Sequence, residues 1–229
     1  MFIGRRVESV DSFFEHYLVG KIKMTDFFLV RHGETLWNSQ KRYQGWKDSP
    51  LTVTGRNQGL IHGRLLAQHN ISAIFASPLG RVQETLDQIS QSINAATFFD
   101  ARLKEINIGN WSGHTIDYVR ENFPDEWEAR RANPITFQVP GGESRNDLQN
   151  RVAPAVEEIL ATGYGKIAIV SHGITTRVIL NHMLGLSVQD QLALLVPNEC
   201  VYHCSIVGEK VTVSHYMNGH GPIDGLFFG

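Results

Sequence analysis

The sequence predicts an α/β fold, a three-layer sandwich in which a mostly parallel central sheet is covered by helices on both faces. Two observations carry this. Short apolar runs bounded by turn residues alternate with longer stretches whose apolar residues recur at spacings of three and four, the pattern of strands feeding crossover helices. Polar and charged residues also gather directly after the strand-like runs, at Arg31-His32, at Ser77 to Arg81 and at Ser171-His172. In open α/β sheets the carboxyl ends of the strands are where ligands bind.

The elements follow in order. In residues 1–23, Val10, Phe13, Phe14, Tyr17 and Leu18 fall on one helical face and Gly20 stands where a C-terminal cap belongs, so this N-terminal extension reads as a short amphipathic helix. It packs on the body of the domain or, alternatively, docks on a second subunit to give a homodimer. Met24 stands just before the first strand and could itself be a start. Residues 24–229 form a single domain. Residues 27–30 read as a buried strand. Residues 51–68 read as a helix capped by Thr52, with Leu60, Ile61 and Leu65 facing inward. Residues 71–76 are a second strand, and Ser77-Pro78 offers an N-cap and a first helical residue for a helix carrying Val82, Leu86, Ile89 and Ile93. A third strand at 96–99 leads into an irregular lid or pocket wall over 103–140. Ser144 caps the next helix, with Asp147 in its first turn and Leu148, Val152, Val156 and Ile159 as its buried stripe. Residues 166–170 are a buried strand, 174–184 a helix, and 201–206 with 211–216 a closing hairpin around Gly208-Glu209-Lys210.

Composition removes several functions. A formal net charge of -2 without any dense Lys/Arg run leaves no footprint for nucleic acid or an anionic membrane. No stretch approaches the roughly 18 apolar residues of a transmembrane helix, and no signal-peptide core is present. Cys200 and Cys204 are too few for a disulfide framework and fit a reducing, cytoplasmic setting. With His203 and His215 they could form a zinc site; placed on strands, they read better as core residues. No closely spaced ligand set appears, so neither metal nor other cofactor is expected.

The segment Phe27 to Asn38 runs four apolar residues straight into Arg31-His32-Gly33-Glu34-Thr35, then Trp37-Asn38. It resembles the signature of the histidine phosphatase superfamily, which includes the cofactor-dependent phosphoglycerate mutases. Gln44-Gly45 with Asp48, Ser77-Pro78-Leu79 with Arg81, Glu105 with Gly109 and Trp111, Pro140-Gly141-Gly142-Glu143-Ser144 and Ser171-His172-Gly173 follow in the family's order. The resemblance implies a phosphoglycerate mutase-like fold and a phosphohistidine formed on His32. It also implies that Arg31, Arg81 and His172 surround the phosphoryl oxygens, that Glu105 acts as general acid, and that Asn38, Gln44, Gly45 and Gly173 contribute to substrate binding. Glu34 reads as structural.

The chemistry is coherent without the family. Phosphoryl transfer spreads charge over the equatorial oxygens, and arginine forks stabilise it. His32 must be unprotonated to attack, which two neighbouring guanidiniums favour, with its other ring nitrogen pinned by a backbone carbonyl. His172 is expected to be a charged donor in the complex. A leaving alkoxide needs a proton, and Glu105 is expected to be protonated mainly when substrate is bound. The residues after the acid, Ile106-Asn107-Ile108-Gly109, resemble the phosphatase branch. Hydrolysis of a small phosphomonoester is therefore the favoured reading and bisphosphoglycerate-dependent mutase the runner-up, with a non-catalytic phosphate-binding or interaction module a distant third. Arg130-Arg131 is the lid's basic pair, read as solvated at a helix C-terminus or, alternatively, as a grip on the substrate's second anionic group.

Overall fold

The computed structural model describes residues 24–229; the expected amphipathic helix lies outside them. The elements are β1 (Met24–Arg31), α1 (Leu36–Ser39), α2 (Val53–Gln68), β2 (Ala73–Ala76), α3 (Gly80–Ile89), β3 (Ala96–Phe99), α4 (Ile116–Asn122), α5 (Pro124–Ala132), α6 (Arg145–Ala161), β4 (Lys166–Ser171), α7 (Gly173–Leu184), α8 (Val188–Ala193), β5 (Cys200–Val207), β6 (Lys210–Met217) and β7 (His220–Asp224). Two short 3-10 turns, Ala101–Leu103 and Gly109–Trp111, separate β3 from α4.

The seven-stranded sheet has the order β3-β2-β4-β1-β5-β6-β7. Here the expectation needs correcting, because the sheet is mixed rather than mostly parallel. The pairs β3-β2, β2-β4 and β4-β1 are parallel, whereas β1-β5, β5-β6 and β6-β7 are antiparallel. Helical crossovers allow parallel pairing in the first half; short turns reverse the chain at β5-β6 and β6-β7, while β5, reached through α7 and α8, runs against β1. Strand β7 escapes the sequence reading because all five of its residues are exposed, leaving no apolar alternation to detect.

Alternate residues of the central strands face opposite cores. Phe27, Leu29, Ile167 and Ile169 meet the α6 and α7 residues Leu148, Val152, Val156 and Val178 on one side. Phe28, Val30, Ala168 and Val170 meet Leu65 and Leu66 of α2 and Val82, Leu86 and Ile89 of α3 on the other. The helical layers on both faces are thus as expected. The buried face of α2 is not: it is Gly55, Gln58, Gly59, His62, Gly63, Leu65 and Leu66, with Leu60 and Ile61 only partly covered. A Cβ at Gly59 or Gly63 would come within 2.8 Å of Gln88 Cβ or the Ile89 carbonyl, so the helices meet through glycines that no hydropathy pattern marks.

The lid segment contains α4 and α5 and its own small core of Ile108, Trp111, Val119 and Val139, flanked by Tyr43, Phe123, Trp127 and Phe137. The Trp111 indole N–H donates to Glu126 at 2.7 Å, satisfying the polar edge of a fully buried ring.

Candidate active site

Strand β1 ends at Arg31 and delivers His32 into the sheet's carboxyl edge, 3% exposed. Its backbone is fixed from three sides. His32 N–H donates to the Ser171 carbonyl at 3.0 Å, Asn198 Nδ2 donates to the His32 carbonyl at 2.7 Å, and Gly33 N–H donates to Thr85 Oγ1 at 3.0 Å. The next turn crosses the start of α2 at backbone distance. A Cβ on Gly33 would lie 2.2 Å from the Gly55 carbonyl oxygen, and one on Gly55 2.0 Å from that of Glu34. Glu34 closes the crossing by accepting from Thr52 Oγ1 at 2.7 Å and from Thr52 N–H at 2.9 Å; its role is a clip.

The imidazole of His32 is held in one tautomer. A guanidinium only donates, so the 3.2 Å contact from Arg81 Nε makes Nε2 the lone-pair nitrogen. Nδ1 then carries the proton and donates to the Gly33 carbonyl at 2.8 Å. Burial, then the charges of Arg81 and Arg31, drive the ring's pKa well below the usual imidazole value, so His32 is neutral with an unprotonated Nε2.

Arg81 is 1% exposed and every nitrogen is engaged. Besides His32, it donates to the Gly45 carbonyl at 2.8 Å, to the Lys47 carbonyl at 2.9 Å and to Asp48 at 2.8 Å. Asp48 also accepts from Gly80 and Arg81 N–H at 2.8 and 3.3 Å, so this carboxylate is the true cap of α3. The sequence expectation placed that cap at Ser77. The N-cap position is instead Leu79, without a side-chain cap, and Ser77 Oγ is spent on His172 Nε2 at 2.7 Å.

His172 is fully buried, its ring centroid 5.3 Å from that of His32. Burial first, and Arg81 next, depress its pKa well below the ordinary value, so it is neutral in the ligand-free protein. Its Nδ1 has no hydrogen-bond partner among the described residues. Arg31 donates to the Val196 carbonyl at 2.7 Å. Burial brings its pKa down to about 10 against the opposing pull of Glu105, which still leaves it a cation at neutral pH.

Glu105 faces these groups from the loop after β3. Its carboxylate accepts from Ile106, Ile174 and Thr175 N–H at 2.9, 3.1 and 3.2 Å, seating it at the N-terminus of α7. The Gly142-Glu143-Ser144 stretch explains itself here. Glu143 accepts from Asn107 N–H at 2.8 Å and pairs with Arg151 through two contacts of 2.9 and 2.8 Å. Arg151 also donates to the carbonyls of Arg102, Lys104 and Glu105, so a bidentate pair fixes the backbone that carries Glu105.

A cavity of about 110 Å³ joins Arg31, His32, Asn38, Gln44, Gly45, Arg81 and Glu105, with Arg42, Tyr43, Ile106, Ile108 and Ile174 completing the wall. Asn38 is oriented by Thr35, whose N–H and hydroxyl both donate to Oδ1, and Gln44 Oε1 is buried without a partner among the described residues. Gly173 does not line the cavity. It starts α7, and a Cβ there would lie 3.4 Å from the Arg31 guanidinium. Among the described residues no group of three or more His, Cys, Asp or Glu could hold a metal ion. Cys200 and Cys204 are buried free thiols, while His203 pairs with Asp26 and His215 with the Gly225 carbonyl.

The family profile of the histidine phosphatase superfamily (branch 1) matches residues 27–219, the stretch that builds both the sheet and this cavity. The chain belongs to the histidine phosphatase superfamily. Among members of this superfamily, the chain is 35% identical over 185 residues to the "Probable phosphoglycerate mutase GpmB" of Escherichia coli, covering 80% of this chain and 83% of that one. A mycobacterial glucosyl-3-phosphoglycerate phosphatase, solved with VO3, aligns with TM-score 0.72 and 26% identity over 79% of this chain and 90% of its own. The α-ribazole phosphatase of Shigella flexneri aligns with TM-score 0.77 at 22% identity over 85% and 96%, which shows the shared fold.

Three arginines near the superfamily site escaped the sequence reading or were misjudged. Arg131 is exposed and pairs with Glu128, as its solvated reading requires. Arg130 turns inward instead, its guanidinium 5.7 Å from the Tyr43 ring and 5.3 Å from that of Trp111. Arg145 and Arg177 were not singled out at all. Arg145 begins α6 and Arg177 lies within α7, where a charged residue ordinarily marks the solvated side, so no sequence signal separates them from surface cations.

Proposed function

We propose that this protein hydrolyses small phosphomonoesters through a phosphohistidine on His32. The observation that carries the reading is the ring geometry: Nδ1–H bonded to the Gly33 carbonyl and the Nε2 lone pair facing the Arg81 guanidinium. In the proposed reaction Nε2 attacks phosphorus, the ester P–O bond breaks, and Glu105 gives its proton to the departing oxygen. Arg31, Arg81 and His172 Nδ1 stabilise the equatorial oxygens, with Asn38 and Gln44 from the opposite wall. Glu105 then takes a proton from the water that splits the N–P bond, which returns both groups to their starting states. The cations of the proposed scheme are guanidiniums, so the scheme needs no metal ion.

The test is phosphate release from p-nitrophenyl phosphate with chelator present. Turnover that survives chelation and falls at least about 10⁴-fold in His32→Ala supports the proposal; release that persists in His32→Ala refutes it. Mutase remains the second reading, favoured by inward-facing Arg130 and by the name carried by the E. coli relative. Isomerisation of 3-phosphoglycerate that depends on 2,3-bisphosphoglycerate, without comparable phosphate release, would select it.

A further inference from the structure

Trp46 follows Gln44-Gly45 in the sequence, and nothing in the proposed hydrolysis uses it. It sits in a tight turn closed by the Lys47 N–H, which donates to the Gln44 carbonyl at 3.0 Å. The residue is 42% exposed, so packing alone does not fix its ring. A hydrogen bond does: the indole N–H donates to the backbone carbonyl of Glu105 at 2.8 Å. Lys104, the residue before the acid, adds its ammonium 4.7 Å from the Trp46 ring centre.

The other end of this contact is tied to the nucleophile. The carbonyls on either side of Trp46, those of Gly45 and Lys47, both accept from Arg81, at 2.8 and 2.9 Å. Arg81 in turn touches Nε2 of His32 at 3.2 Å. An unbroken series of bonds therefore runs from the nucleophilic nitrogen through Arg81 and the 44–47 turn to the backbone of the acid. The Glu105 carbonyl also accepts from Arg151 at 3.2 Å, a bond that ties it to α6 and Glu143 rather than to His32. His32 follows β1 and Glu105 stands in the loop after β3, so no single element sets the gap between them. Proton delivery depends on that gap, because displacing a catalytic group by about 1 Å can cost roughly 10²-fold in rate.

We propose that Trp46 is a positioning residue, its indole N–H the strut that fixes where Glu105 stands relative to a phosphate held at His32. The consequence for turnover rests on the hydrolytic reading with Glu105 as the acid. As the ester P–O bond breaks, Glu105 gives its proton to the departing oxygen, and without the strut that transfer lags behind bond cleavage. A departing alkoxide needs the proton, whereas a nitrophenolate is stable as an anion and leaves without it.

The experiment reads leaving-group dependence in Trp46→Phe, which removes the N–H and keeps an aromatic ring. The substrates are p-nitrophenyl phosphate and p-nitrobenzyl phosphate, close in shape but leaving as phenolate and alkoxide. The ratio of their kcat/KM values, nitrophenyl over nitrobenzyl, should rise at least about tenfold in the variant. A merely structural role lowers both together, so a ratio within about threefold of the wild-type value overturns the strut. Glu105→Gln, run beside it, separates the two claims. A ratio that rises in Glu105→Gln but not in Trp46→Phe sinks the strut and leaves the acid standing. No hydrolysis of the benzyl ester by wild-type protein, or a ratio unchanged in Glu105→Gln, sinks the acid reading instead. The strut is then judged from the Trp46 indole N–H resonance in nitrogen-15 NMR, assigned by its loss in Trp46→Phe. A chemical-shift change on adding inorganic phosphate supports the link between this bond and the cavity; no change overturns it.

Discussion

Arg81 on the one hand and Arg130, Arg145 and Arg177 on the other are the same residue type in opposite conditions. Arg81 spends all of its nitrogens on two carbonyls, a carboxylate and an imidazole. The other three, like Arg31 at its Nε, keep buried nitrogens without a partner among the described residues. A saturated guanidinium is a fixed part of the scaffold, preorganised before any ligand arrives. An unsaturated one stores unfavourable desolvation that an oxyanion would relieve. The difference separates a guanidinium fixed by its own neighbours from guanidiniums with bonding capacity to spare.

The largest effect that sharpens this contrast is at Glu105, whose carboxylate both sets feel. Glu105→Gln keeps the shape but removes the proton, and kcat for an alkyl phosphate should fall by about 10²–10⁴-fold. Near-normal turnover would remove Glu105 as the acid. Arg81→Met comes next. It should lower kcat/KM by roughly 10²–10³-fold and, because Asp48 and two carbonyls lose their donor, lower stability by about 2 kcal/mol in urea titration. Single Arg145→Met and Arg177→Met variants should go the other way, leaving stability unchanged or raising it by up to about 1 kcal/mol. Matching losses in Arg81 and Arg177 variants would erase the distinction.

The saturated side also sets the pH behaviour. His32 and His172 are depressed well below the normal imidazole value, and His62, buried behind Asn198, to about 4. Each is neutral when folded and takes up a proton below pH about 6.5 when unfolded. Stability is therefore full above that value and lost as pH falls, with His62 alone contributing on the order of 3 kcal/mol between pH about 6.5 and 4. The acid limb of kcat/KM should likewise lie below pH 6.5. An acid limb at or above that pH would mean that His32 is not held neutral by its surroundings.

How much of this was legible in the sequence depended on whether a residue announces its environment. Arg31, His32 and His172 follow buried strands, and a charged residue at a strand exit has no packing reason, so they stand out. Glu105 stood out only within the ordered set of motifs. Arg145 and Arg177 sit on helices, where arginine is ordinary and only the fold shows which way it points. Ser77 looked like a cap because Ser-Pro usually is one; Asp48, distant in sequence, took that place because it also serves Arg81. The mixed sheet followed from the hairpin joining β1 at its free edge, a tertiary choice that strand patterns do not encode.

The crossing of Gly33 over Gly55 has a last consequence, for how substitution data on this chain would look. Neither position lines the cavity, yet a methyl group on either would collide with opposing backbone and push apart the turn that carries His32. Gly55→Ala should therefore abolish turnover much as a lost nucleophile does, and a saturation scan would score the two alike. Unfolding measurements would tell them apart, since His32→Ala leaves the backbone crossing intact while Gly55→Ala breaks it. Intolerance to change here marks where chain segments pass, as well as where chemistry happens.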